Sequence, residues 1–502
     1  MISKKTLSPI MFVGTGSDVG KSVITAAFCR ILRQDGYLPA PFKAQNMALN
    51  SYATPEGLEI GRAQAVQAEA AGVPCHTDMN PLLLKPTTDT MCQVVLHGKS
   101  IGNQEAVDYF TSNNKTELRK EVCTAFDRLA SIYNPIVMEG AGSISEINLR
   151  QLDLVNMPMA AHAKANVILV ADIDRGGVFA SVYGSIMLLT EEERKLIKGI
   201  IINKFRGDIR LFESGIKMME DLCKVPVLGV IPYFKDIHIE EEDSVMLHTK
   251  NRAALNGKVN IAVVLLQHMS NFTDFNPLEQ DERIHLYYTN APDDLKHADI
   301  IIIPGTKSTL HDLMVLRKSG MAKAIIQANT DGKTILGICG GYQMLGKVIT
   351  DPHEIESEIK QLPGLNLLPI TTELDGTKIT KQVKFSLLGG KTQCTGYEIH
   401  NGRTTVLSDK PQALNTLEEG APEGCISKNC YGTYLHGILD NAEFVELLLQ
   451  PFINEKTAIE FDYFKFKEEQ YNKLADHVRK HVNMEYFYKI LGSNSEYHSQ
   501  TL

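Results

Sequence analysis

Ile10-Met11-Phe12-Val13-Gly14-Thr15-Gly16-Ser17-Asp18-Val19-Gly20-Lys21-Ser22 decides the fold of the first half of this chain. Four apolar residues form a strand, and a glycine-rich loop follows. A helical pattern then begins at Lys21, with Val23, Ile24, Ala27, Phe28, Ile31 and Leu32 on one side and Gly36 as the stop. Strand, loop and helix in that order make a phosphate cradle. Backbone N–H groups of Gly14, Thr15, Gly16, Val19 and Gly20 can turn toward phosphates, Lys21 can reach the β/γ oxygens, and the Ser22 hydroxyl can bind Mg²⁺. The spacing is a variant, because Thr15 stands where the usual motif has its first glycine.

Outward from this loop the apolar runs Ile136-Val137-Met138, Val167-Ile168-Leu169-Val170, Ile200-Ile201-Ile202 and Val227-Leu228-Gly229-Val230-Ile231 are nearly unalternated, as strands buried on both faces should be. They predict βαβ repeats and a doubly wound parallel sheet. Glu139 ends one of these strands, where a carboxylate beside a phosphate loop is placed to hold Mg²⁺. Asn203 ends another, where a base-reading group would sit.

The pattern breaks near 235–258, around Glu240-Glu241-Glu242-Asp243, and a second α/β series starts at Ile261. We therefore expect a synthetase domain over 1–240, a linker over 241–258, a second α/β domain over 259–445 and a helical tail over 446–502. The stretch from about 365 to 435 is expected to be more antiparallel.

The second domain carries Gly337-Ile338-Cys339-Gly340-Gly341-Tyr342-Gln343 directly after an apolar strand. A cysteine between small residues at a strand-to-helix turn is a nucleophile elbow. The helix N-terminus lowers the thiol pKa, and the Gly340 N–H faces the developing oxyanion. Among fifteen histidines, His436 in Gly432-Thr433-Tyr434-Leu435-His436-Gly437 is the best base. Gly305, at the end of strand Ile300-Ile301-Ile302-Ile303, offers a second oxyanion donor, and Gln343 is a candidate glutamine-binding side chain.

Composition bounds the rest. A chain of 502 residues exceeds one ordinary core. A net charge of -9 excludes a general nucleic-acid binder but not a local basic pocket. Nine cysteines without a CxxC pair fit a reducing compartment. Met1-Ile2-Ser3-Lys4-Lys5 is basic, but no apolar stretch follows before Pro9, and no run approaches the ~20 residues that span a bilayer. A cytoplasmic protein without membrane contact is expected.

Taken together, these motifs resemble the class I glutamine amidotransferases, specifically the cobyric acid synthase branch, from about residue 8 to 445. The resemblance rests also on the run from Pro41 to Asn50, on Glu59-Ile60-Gly61-Arg62-Ala63-Gln64, Met79 to Pro86, Asp172-Ile173-Asp174-Arg175-Gly176-Gly177, Asn203 to Asp208, Ser270-Asn271-Phe272-Thr273-Asp274-Phe275 and Gly396-Tyr397-Glu398-Ile399-His400. The phosphate-loop half alone is similar to dethiobiotin synthetase. The resemblance implies ATP, Mg²⁺ and L-glutamine as co-reactants and a corrinoid carboxylic acid as substrate. It implies a Cys–His dyad, because Ile438 occupies the position where many relatives place a glutamate, and no residue is assignable from sequence to orienting His436. A multiply anionic substrate calls for cations, and Lys43, Arg62, Lys85, Arg175 and Arg206 lie inside the matching motifs. Two other readings share parts of the plan: a cobyrinic acid a,c-diamide synthase, and a non-catalytic phosphate-loop ATP switch. The sequence fixes no oligomeric state, and a homo-oligomer is compatible with it.

Overall fold

The computed structural model describes residues 6–86, 91–105, 115–240, 253–407, 412–453 and 461–492. Residues 241–252 of the expected linker lie outside the described residues.

The apolar runs of the first half form one six-stranded sheet. Its order is Val227–Pro232, Ile197–Phe205, Asn166–Asp172, Ile10–Gly14, Ile136–Glu139 and Ala40–Phe42, and every neighbouring pair is parallel. Ile10–Gly14 lies inside the sheet, so its C-terminal end opens between two neighbours at the edge where ligands bind in such folds. The short strand Ala40–Phe42 has no strong pattern of its own. Its last residue, Phe42, packs edge-on against Phe126 at 5.2 Å. A four-stranded sheet, Gln45–Met47, Leu82–Pro86, Met91–Leu96 and Lys99–Glu105, is inserted after it.

The second domain holds a sheet in the order Ile284–Thr289, Val259–Val264, Ile300–Ile303, Thr334–Ile338, Cys430–Thr433 and Cys425–Ser427. All pairs are parallel except the last. Ile303 lies opposite Gly337, and Ile338 opposite Thr433, so three adjacent strand ends deliver Gly305, Cys339 and His436 to one place. The close approach depends on Gly341, where a Cβ would lie 2.0 Å from the Ile303 carbonyl oxygen. The expected antiparallel region is the hairpin Ile370–Leu387 with Cys394–Val406.

The tail is not a separate appendage. Helix Tyr463–His481 lies along helix Lys21–Gln34, with Arg30 Nη2 2.8 Å from Glu468 Oε2. Leu474, Val478 and Phe487 join the core of the first domain, and the Phe487 ring meets Phe28 at 4.5 Å. Helix Ala442–Leu449 instead packs into the core of the second domain, so the expected boundary at 445 cuts through an element. Among the described residues no helix is long and apolar enough to cross a membrane.

Candidate active sites

In the first site, Lys21 Nζ reaches across the loop to the carbonyls of Gly16 at 2.8 Å and Gly142 at 3.0 Å. The Thr15 N–H is tied to the Val170 carbonyl at 3.1 Å. Gly20 has φ +95°, and a Cβ there would lie 2.3 Å from Asn203 Nδ2. That Asn203 amide donates to the Val19 carbonyl at 2.9 Å. Its Oδ1 is buried and accepts no hydrogen bond among the described residues, which leaves an acceptor available for an amino group of a nucleobase.

Glu139 is buried, and its carboxylate collects three donors. Ser22 Oγ and Lys43 Nζ each lie 2.8 Å from Oε1, and Gln67 Nε2 lies 2.5 Å from Oε2. Burial pushes this carboxyl up, but Lys43 and the hydrogen bonds outweigh it and hold the pKa below the usual range. The 2.8 Å between Ser22 Oγ and Glu139 Oε1 matches adjacent ligands on a Mg²⁺ octahedron, whose edge is about 2.9 Å for metal–oxygen distances of about 2.1 Å. Ser22 and Glu139 fit that ion.

The second site forms at the elbow. Cys339 has φ +52° and ψ −110°, a backbone that L-residues rarely adopt, immediately before helix Gly340–Met344. Its Sγ is 3.5 Å from the Ile399 carbonyl, and Cys339 lines one cavity together with His436. Gly305 leaves room for this meeting: a Cβ there would lie 3.2 Å from His436 Cε1 and 3.6 Å from Cys339 Cβ. Gly340 packs on Thr306, with its missing Cβ 2.7 Å from Thr306 Cγ2. Gln343 is buried, accepting from Thr309 Oγ1 at 3.1 Å and donating to the Tyr434 hydroxyl at 3.3 Å.

The expectation of a bare Cys–His pair needs correction. His436 Nδ1 lies 2.7 Å from Asp274 Oδ2, and the other Asp274 oxygen accepts the Gly437 N–H at 3.0 Å. The ring also stacks on Tyr397 at 5.3 Å. Burial pushes the imidazole pKa down, but the Asp274 charge and hydrogen bond, with Cys339, raise it to about 10. Asp274 lies inside the run from Ser270 to Phe275, but 162 positions separate it from His436. Only the motif itself signalled it. A search two residues downstream of His436 finds Ile438.

The five singled-out cations do not form one patch. Lys43 is committed to Glu139, Lys85 to Glu59 at 2.6 Å and Arg62 to Glu240 at 2.5 Å, all of them buried. Arg175 and Arg206 are exposed near the phosphate loop, 3.4 Å from Asp18 and 2.7 Å from Asp174 respectively. Lys85, with Ser51, lines the cavity beside Cys339. The first domain therefore closes part of the second domain's site.

A phosphate-loop domain joined to a cysteine-elbow domain is the plan of a nucleotide-dependent glutamine amidotransferase, and both halves match family models. Residues 10–245 match the CobQ/CobB/MinD/ParA nucleotide binding domain, and 260–444 match the CobB/CobQ-like glutamine amidotransferase domain. The chain is 66% identical to a cobyric acid synthase of Bacteroides fragilis over 492 residues, covering 98% of this chain and 99% of the relative. It is 65% identical to one of Phocaeicola vulgatus, with 98% and 100% covered, and 59% identical to one of Parabacteroides distasonis, with 97% and 99% covered. The chain belongs to the cobyric acid synthase family.

Proposed function

We propose that this chain amidates the b, d, e and g side-chain carboxylates of adenosylcobyrinic acid a,c-diamide, giving adenosylcobyric acid in cobalamin biosynthesis, with ATP and glutamine consumed. Full-length identity to cobyric acid synthases, spanning both sites at once, carries this reading.

In the glutaminase half, the Cys339 thiolate attacks the γ-amide carbon of glutamine. The N–H groups of Gly340 and Gly305 receive the oxyanion. His436, held by Asp274 with its pKa near 10, gives its proton to the leaving nitrogen, and ammonia departs from a γ-glutamyl thioester. Water then attacks the thioester with His436 as base, releasing glutamate.

In the synthetase half, a carboxylate is a poor acyl donor. Transfer of the ATP γ-phosphate to it gives an acyl phosphate and ADP. Lys21 and Lys43 supply positive charge at the loop, Asn203 is the candidate base reader, and Ser22 with Glu139 would hold Mg²⁺. That ion, when bound, offsets phosphate charge. Ammonia attack on the acyl phosphate gives the amide and phosphate. Ammonia must arrive unprotonated, and the Lys85–Ser51 wall that the first domain lends to the Cys339 cavity favours a sheltered passage.

The deciding assay supplies ATP and glutamine with either the a,c-diamide or cobyrinic acid. Consumption of cobyrinic acid alone would make the chain a cobyrinic acid a,c-diamide synthase. Consumption of neither would favour an ATP switch.

A further inference from the structure

The cavity beside Cys339 is lined by three lysines, Lys85, Lys307 and Lys378, and by Glu356. Two of the lysines share one carboxylate, Glu59. Lys85 Nζ lies 2.6 Å from Glu59 Oε1, and Lys378 pairs with the other oxygen of the same carboxylate. Among the described residues, neither Lys307 nor Glu356 makes a close ion pair. Lys307 Nζ donates only to a neutral acceptor, Gln93 Oε1, at 2.9 Å. Glu356 Oε2 accepts the Thr309 N–H at 2.8 Å. The cavity thus presents, beside the nucleophile, a lysine and a glutamate that attract each other across it without forming a close ion pair. Amino acids carry the complementary pair on their α-carbon.

Both side chains are held where such a head group would lie. Lys307 follows Thr306, whose hydroxyl is fixed by the His268 carbonyl at 3.1 Å. The loop of Glu356 is pinned by the buried Asp351, which accepts the N–H groups of Ile355 at 2.7 Å and Glu356 at 2.9 Å. Thr309 links Glu356 to Gln343, because its N–H meets Glu356 and its hydroxyl meets Gln343 Oε1 at 3.1 Å. Charged groups lining a cavity without a close counter-charge are poised for a ligand that brings one. Burial, with Lys378 and Lys85 nearby, pulls the Lys307 pKa down to about 7, and burial pushes that of Glu356 up.

We propose that Lys307 and Glu356 form the head-group subsite for glutamine, Lys307 taking the α-carboxylate and Glu356 the α-ammonium while the γ-amide lies against Cys339. The subsite rests on the reading of Cys339 as glutaminase nucleophile. It explains how the site selects a free amino acid over side-chain amides of proteins, which lack both charges.

The test compares wild-type enzyme, Lys307→Met and Glu356→Gln on three amides. These are glutamine, 4-carbamoylbutyrate (no α-ammonium) and glutaminamide (no α-carboxylate). Losing one charged hydrogen bond should lower kcat/KM for glutamine roughly 10- to 100-fold. Glu356→Gln should change 4-carbamoylbutyrate less than about threefold, and Lys307→Met should likewise spare glutaminamide, so each variant loses one discrimination only. Lys307→Arg should keep the wild-type pattern. Amidation with ammonium salts should persist in all variants and serves as the folding control. Equal losses on all three amides, or no loss on any, would overturn the subsite. Glutamine hydrolysis by Cys339→Ala would instead overturn the parent reading, so the two failures are separable.

Discussion

Asp274 Oδ2 lies 2.7 Å from His436 Nδ1, and the same carboxylate anchors the next backbone N–H at Gly437. A group from the start of the second domain therefore sets both the tautomer and the position of a base near its end. Asp274→Asn keeps the size but reverses part of the hydrogen-bonding pattern. By analogy with catalytic triads, glutamine-dependent kcat should fall by roughly 10²- to 10⁴-fold. Ammonium-dependent amidation should be unchanged, and steady-state assays with each nitrogen source read the split.

The same contact makes a pH prediction. The folded pKa of His436 is raised from 6.5 to about 10. A raised imidazole contributes stability that is complete below the unfolded value and is lost as pH climbs through the folded one. The melting-temperature gap between wild type and Asp274→Asn should be wide at neutral pH and should narrow through pH 10. A gap that widens with alkali would contradict the assignment of a charged imidazole.

Cys339→Ala should abolish glutamine use yet retain amidation with ammonium salts, most strongly at alkaline pH where free ammonia is abundant. Glu139→Gln should give the opposite result. It removes the acceptor shared by Ser22, Lys43 and Gln67, so both nitrogen sources should fail while glutamine hydrolysis persists. Parallel assays of glutamate release and corrinoid amidation distinguish the two patterns.

These contrasts follow from elements that differed in legibility. The phosphate loop and the elbow were readable because each is local: strand, small residues and helix follow one another within about ten positions. The parallel strands were readable because burial on both faces removes alternation. Asp274 was not assignable to His436 because sheet order, not sequence distance, brings them together. Lys43 and Lys85 read as candidate contacts to an anionic substrate because a sequence shows charge without partners, and Glu139 and Glu59 come from other strands. The tail read only as helical for the same reason: its sequence does not show helix Lys21–Gln34 as its partner.

That partnership is testable through Phe487, which is fully buried and packs on Phe28 at 4.5 Å. Phe487→Ala should destabilise the first domain by about 3–5 kcal/mol, the usual cost of emptying an aromatic core position. Denaturant unfolding followed by ATP binding would measure it. A loss below about 1 kcal/mol would mean that the tail is not part of this core.

Glu59 joins the two domains more directly. It is buried, and it pairs Lys85 from its own domain with Lys378 from the glutaminase hairpin. Both lysines line the Cys339 cavity, while helix Arg62–Ala71, which starts three residues later, carries Gln67 to Glu139. Glu59→Gln leaves the buried Lys85 ammonium and the partly buried Lys378 ammonium facing one neutral amide, which should cost about 3–5 kcal/mol. Burial raises the Glu59 pKa, but Lys378 and Lys85 prevail and hold it well below 4.5. Its contribution is therefore complete above the ordinary carboxylate range and is lost only as pH falls through the depressed value. The melting-temperature gap to Glu59→Gln should be constant from pH 8 to pH 5 and should close only in stronger acid. If the Lys85 and Lys378 it holds at the Cys339 cavity also shelter the released ammonia, the variant should hydrolyse more than one glutamine per amide formed. Wild-type stability together with a one-to-one ratio would show that Glu59 neither stabilises the seam nor retains ammonia.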